Sequence, residues 1–278
     1  TCIGDANGPE TNTIGTLTAG VEYYILVDAE STASVTHTFQ INCPCPDATI
    51  SYSGSPYCQN AGTANVTLTG SAGGTYSSTA GLNINAATGA VTLGTSTPGT
   101  YTVTYSIAAA GSCPLFTTTA SITVNPTPNA IATPAIQTIC SGATITPIVL
   151  TSGVVGTTYT WTRDNTAGVT GIPGNGVGNI SGTLTNITAA PITVTFTITP
   201  TANGCPGPTS TATVLVNPTP NAVATPSAQS ICNASAITPI VLTSTTAGTT
   251  YAWTRDNNAT VTGIAASGSG TPITGTLT

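Results

Sequence analysis

Lysine and methionine are absent from this 278-residue chain, histidine occurs once, and arginine occurs only as Arg163 and Arg255. Charged residues make up 4% of the sequence, where roughly 25% is usual. Each absence excludes something. Acid–base, metal and phosphate chemistry need clustered ionisable side chains, so the composition argues against an enzyme, and no catalytic residue or cofactor is assigned. Two arginines cannot neutralise a nucleic-acid backbone or form a polybasic membrane patch. No apolar run reaches the ~18 to 20 residues of a membrane span. Without Met or a basic-then-apolar start, the chain reads as a processed product or an internal piece of a longer one.

What is abundant is Thr, with 63 residues, and apolar residues at 39%. That content supports packed cores and is unlike the low-hydrophobicity, high-charge signature of disorder. The net charge is −6, and five of the eight acids, Asp5, Glu10, Glu22, Asp28 and Glu30, fall in the first thirty residues. Elsewhere the surface must be wetted by hydroxyls and amides.

The chain is internally repeated. Residues 126–172 align without gaps to 218–264, with 33 of 47 positions identical. Shared blocks include PTPNA, ITPIVLTS and the run YTWTRDN from Tyr159, matched by YAWTRDN from Tyr251. Cys113 and Cys205 each stand twelve positions before an Asn-Pro-Thr-Pro segment, at Asn125 and Asn217, which marks a third, weaker copy upstream. Proline donates no ladder hydrogen bond, so these segments end sheets and start stiff linkers. The expected domains are 1–43, the last part of a β-sandwich; 44–125 and 126–217, two complete ones; and 218–278, a copy lacking its last two strands.

Within each copy the period is two. In YTVTYSI (Tyr101–Ile107), ITVTFTI (Ile192–Ile198) and TATVLV (Thr211–Val216), apolar residues alternate with Thr or Ser, so one face is buried and the other hydroxylated. Gly and Pro interrupt at short intervals, and no segment keeps a helical period. The predicted fold is all-β, a linear array of Ig-like sandwiches. Residues 21–28 and 34–42 read as a hairpin.

Eight cysteines without C-x-x-C pairs point to disulfides rather than zinc. One cysteine near the start and one at the closing hairpin of each copy predict Cys58–Cys113 and Cys140–Cys205. Cys232 then lacks its partner, because the counterpart of Cys205 falls near position 297. Cys2, Cys43 and Cys45 are left open, with Cys2 paired to either of the others or to a residue upstream. The incomplete last copy is completed either by a longer polypeptide or by the 21–42 hairpin of a neighbouring molecule, which would polymerise the chain head to tail.

Other residues weigh toward structure. His37 has no catalytic or metal partners and reads as a surface strand position. Trp161 and Trp253 are expected in the cores rather than as sugar-stacking platforms. Arg163-Asp164 and Arg255-Asp256 read as structural or intermodule contacts. Asp5-Ala6-Asn7-Gly8 with Glu10 is the best calcium candidate, but Ca²⁺ takes about 6–8 oxygens and no D-x-D-x-D cluster exists, so no metal is assigned. The sequons at Asn65 and Asn186 are expected by chance in so Thr-rich a chain.

The blocks from Ser55 to Pro114, and ICSGATITPIVLTS, TYTWTRDN and NGCPGPTSTATVLVNPTP, resemble the PKD-like or Ig-like tandem repeats of giant Bacteroidota cell-surface adhesins. The opening CIGDANG and TIGTLTAGVEYYILVDAE resemble the end of a prepeptidase-like β-domain. This resemblance implies export by the type IX system and an extracellular structural role in adhesion or gliding, as a stalk or filament. The partners it implies are neighbouring modules or further copies, with surface glycans or proteins as adhesive targets. Spacer modules of a secreted enzyme and carbohydrate-binding modules are the alternatives.

Overall fold

The computed structural model describes residues 45–110 and 113–278. The expected hairpin at 21–28 and 34–42, His37, the Asp5–Glu10 loop, Cys2 and Cys43 lie outside the described residues. Within them the chain is almost entirely β, with one short 3₁₀ turn at Leu93–Thr95. No described helix is long and apolar enough to cross a membrane.

The alternation seen in the sequence produces two separate cores. In the strand Ile192–Ala202, Val194, Phe196 and Ile198 are fully buried while the intervening threonines face outward. This strand lies between Ser210–Asn217 and Thr158–Arg163. Ile136–Cys140 and Asn175–Val177 form the edges of the same sheet. A second layer, Ala143–Thr144, Thr183–Asn186 and Val169–Gly171, closes the core from the other side with Leu184 and Val169. Trp161 sits in this core, 7% exposed, edge-on to Phe196 at 5.6 Å between ring centroids.

The upstream sheet repeats the plan with Tyr57–Cys58, Phe116–Asn125, Gly99–Ile107 and Thr75–Ser78 in that order. Its core gathers Tyr52, Tyr76, Leu93, Val103, Tyr105 and Ile122. On the outer faces hydroxyl side chains meet across strands, Thr160 opposite Thr199, Thr162 opposite Thr197 and Thr102 opposite Ser121. Thr100 and Thr123 share a hydroxyl–hydroxyl hydrogen bond of 2.9 Å. Such rows satisfy the outer face without charge, and β-branching suits the extended backbone.

Residues 218–278 keep only short ladders: Val223–Thr225 with Val241–Thr243, Ser235–Ala236 with Thr276–Leu277, and Ala252–Thr254 with Ser267–Ser269. Trp253 is only half-buried there. The ITVTFTI run that brings Phe196 against Trp161 has no counterpart in residues 218–278.

Both complete sheets share one feature that governs the cysteines. The first strand runs parallel to the last, with Cys58 opposite Asn125 and Cys140 opposite Asn217. These cysteines therefore lie at the end where the chain leaves the sandwich. The hairpins carrying Cys113 and Cys205 lie at the opposite end, where the chain comes in.

Candidate functional site at the intermodule junction

The disulfides correct the sequence expectation. Cys58 pairs with Cys205 and Cys45 with Cys113, in place of Cys58–Cys113 and Cys140–Cys205, while Cys140 and Cys232 are free and exposed. The reason is strand length. At ~3.3 Å per residue, the eight residues of Ser210–Asn217 alone separate Cys205 from the level of Cys140 by more than ~20 Å. A disulfide needs Cα atoms within about 7 Å. Two cysteines at opposite ends of one sandwich cannot meet; cysteines at facing ends of successive sandwiches can.

The hairpin that reaches across is built by Asn203-Gly204. Both residues take positive φ, 50° and 77°, between the paired Ala202 and Cys205. This is the two-residue turn that Asn-Gly favours, because its twist matches that of the flanking strands. It carries Cys205, 1% exposed, to Cys58, with the Cα atoms 5.4 Å apart.

Three further contacts surround the bridge. The Asn60 side-chain amide donates to the Pro206 carbonyl at 3.1 Å, and that of Asn125 donates to the Asn203 carbonyl at 3.2 Å. Gly207 lies so close to the linker that a Cβ there would run into the carbonyl oxygen of Pro128, which is itself buried. Asn60 and Gly207 were not singled out from sequence, and Asn125 and Pro128 stood out only as parts of the linker segment. The available signal was the fixed twelve-residue spacing from hairpin cysteine to Asn-Pro, which is a strand's length and places the two at opposite ends.

The other candidate residues fall into structural roles. Arg163 is buried, and its guanidinium is held by carbonyls: Nε donates to Ile172 at 2.8 Å and Pro173 at 3.2 Å, one terminal nitrogen to Val169 at 2.9 Å, the other to Asp164 at 3.2 Å. Burial lowers its pKa, which the Asp164 carboxylate partly opposes. The Asp164 carboxylate accepts the Thr195 N–H at 2.7 Å. Arg255 repeats the contact, donating to Ile264 at 2.8 Å. Asn165, at φ 51°, donates to the Thr193 carbonyl at 2.7 Å. Asn186 is buried, and its amide donates to Ala190 at 2.7 Å and Val216 at 2.9 Å. Trp161, packed over Gly176, presents no exposed ring for stacking a sugar. Among the described residues no group of three or more His, Cys, Asp or Glu comes together.

The chemistry of this junction is covalent: a disulfide ties one sandwich to the next. Residues 137–220, most of the second sandwich with the start of its following linker, match the PKD-like domain family. No protein of curated function matches the chain in sequence. Among solved structures the chain is similar to the titin I-band fragment I67–I69, at 11% identity and TM-score 0.41, over 84% of this chain and 88% of that one. It is similar to mouse cadherin-23 EC22–24 at 12% identity and TM-score 0.34, over 84% and 87%. It is also similar to Drosophila N-cadherin EC1–4 at 11% identity and TM-score 0.37, over 63% of this chain and 50% of that one, half the fragment's length. The fold is a tandem array of Ig-like, PKD-like β-sandwiches.

Proposed function

We propose that this chain belongs to an extracellular, load-bearing array, a stalk or filament at a bacterial cell surface that holds an adhesive end away from the cell or forms the fibre itself. One observation carries the reading: Cys58–Cys205 joins successive sandwiches instead of stapling one. A disulfide inside a module stabilises that module; a disulfide between modules fixes their connection, which matters where force passes along the chain. Such bridges persist in oxidising compartments, which supports placement outside the cell. The near-absence of charge removes the repulsion that keeps surfaces apart and favours side-by-side packing of arrays.

End-to-end growth extends the reading. Among the described residues Ala252–Thr254 pairs on one side only, with Ser267–Ser269, whereas its equivalent Thr158–Arg163 is flanked on both sides. A strand pair supplied there, by further residues of the same polypeptide or by a neighbouring copy, would extend this sheet by β-augmentation. Electron microscopy of the native material tests the proposal. Ordered threads are expected, with an axial repeat of about 35–40 Å per module, the length of an eleven-residue strand with its turn. Dispersed globular particles without such a repeat overturn it.

A further inference from the structure

Cys140 occupies the place in the second sandwich that Cys58 occupies in the first. Each closes a parallel pairing with the last strand, opposite Asn217 and Asn125 respectively. Each is followed by a residue whose N–H donates to that asparagine's carbonyl, Ser141 at 2.8 Å and Gln59 at 2.9 Å. Each asparagine opens a Pro-Thr-Pro linker. At the first junction these groups form a socket for the next hairpin: the sulfur of Cys58 takes Cys205, the amide of Asn125 binds the Asn203 carbonyl, and Pro128 lies buried against Gly207. At the second junction the cysteine, asparagine and proline are present and no described residue covers them, while Gly142 stands where Asn60 does in the first. Cys140 is a free, exposed thiol. Pro220, the counterpart of buried Pro128, is exposed, and among the described residues the Asn217 side-chain amide makes none of the contacts that Asn125 makes.

We propose that Cys140, Asn217 and Pro220 form a second hairpin socket. Its ligand is the closing hairpin of another PKD-like sandwich, of the Asn-Gly-Cys-Pro-Gly kind found at Asn203–Gly207, captured through a Cys140 disulfide. The sandwich that supplies it lies either in the same polypeptide or in a neighbouring copy, and the chemistry is common to both. As the S–S bond forms, the two thiols lose two protons and two electrons. The electrons pass by thiol–disulfide exchange to a disulfide-bearing oxidant, which is reduced to its dithiol. The inference rests on the repeat of the junction, not on the cell-surface reading, so it stands or falls separately from the microscopy.

Native, non-reduced material, alkylated and digested, is the direct test. The Cys140 peptide is expected joined to a hairpin peptide containing Gly-Cys-Pro, at an occupancy similar to that of Cys58–Cys205. Mixing heavy- and light-isotope material before assembly sorts the source: mixed heavy–light cross-links mean a neighbouring copy, and unmixed ones mean the same polypeptide. Recovery of Cys140 as an alkylated free thiol while Cys58–Cys205 is intact overturns the proposal, as does its bridging to any sulfur outside such a hairpin. In the Cys140→Ser variant this cross-link is expected to vanish while Cys58–Cys205 still forms. Asn217→Ala, which keeps the thiol, is expected to slow its formation several-fold; an unchanged rate removes Asn217 from the socket.

Discussion

Cys58 and Cys205 are 147 positions apart in sequence and 5.4 Å apart between Cα atoms, each on a different sandwich. A pull along the chain therefore crosses from Cys58 to Cys205 directly, and the intervening residues carry no extension. In the chain-entropy model a loop of this length also stabilises by about 5 kcal/mol. Stretching single molecules from their ends is expected to yield about 500 Å more contour length under reducing than oxidising conditions, the extended span of the released loop at ~3.4 Å per residue. Equal contour lengths in the two conditions would remove the load-bypass argument.

The hairpin's grip on the linker depends on one missing side chain. Gly207→Ala places a methyl group against the Pro128 carbonyl, where backbone rather than a flexible side chain must give way. The expected cost is about 1–3 kcal/mol at the junction, as for other overpacked sites. Because neither Gly207 nor Pro128 belongs to a core cluster, reoxidation of reduced protein should show a lower yield of Cys58–Cys205 while Cys45–Cys113 forms normally. Disulfide mapping by mass spectrometry reads both bridges in one sample.

Much of this architecture is written in local pattern. Alternation at Ile192–Ile198 specifies a half-buried strand, Asn203-Gly204 specifies a tight hairpin, and the Asn-Pro-Thr-Pro segments specify where sheets stop. Cysteine pairing is not local. It depends on the first strand lying parallel to the last, which puts Cys58 and Cys140 at the outgoing end, and no periodicity reports that. Counting one cysteine at each end of a module suggested an internal staple; the twelve-residue spacing from Cys205 to Asn217 already measured a distance too long for one. The burial of Arg163 was hidden for a related reason. Its partners are backbone carbonyls from Ile172, Pro173 and Val169, brought to it by a turn rather than by any acidic neighbour.

That cage makes a sharp contrast between the two repeats. Arg163→Leu removes the donors from two buried carbonyls, those of Ile172 and Val169, and leaving such groups unmet costs about 1–3 kcal/mol each before relaxation. A loss of about 2–4 kcal/mol is expected for residues 126–217, read from denaturant midpoints. Arg255→Leu should cost well under half as much, because Arg255 is partly exposed and water can replace it. Equal losses would mean that the guanidinium contributes through packing alone.

Tyr52 gives the upstream sandwich an alkaline limit. Its ring is buried, its hydroxyl donates to the Gly89 carbonyl at 2.6 Å, and its pKa is pushed up to about 12, first by desolvation and then by Tyr76 and Tyr57. A phenol harder to ionise folded than unfolded stabilises the fold fully below its unfolded value near 10, and that contribution is lost as pH rises through the folded value. Stability of residues 45–125 should therefore stay level to about pH 10 and fall between there and pH 12. In Tyr52→Phe the protein should start less stable, having lost the hydrogen bond, yet decline less steeply across the same interval. A titration of thermal midpoints from pH 8 to 12 on both proteins separates the two effects, and parallel curves would show that Tyr52 is not the group responsible.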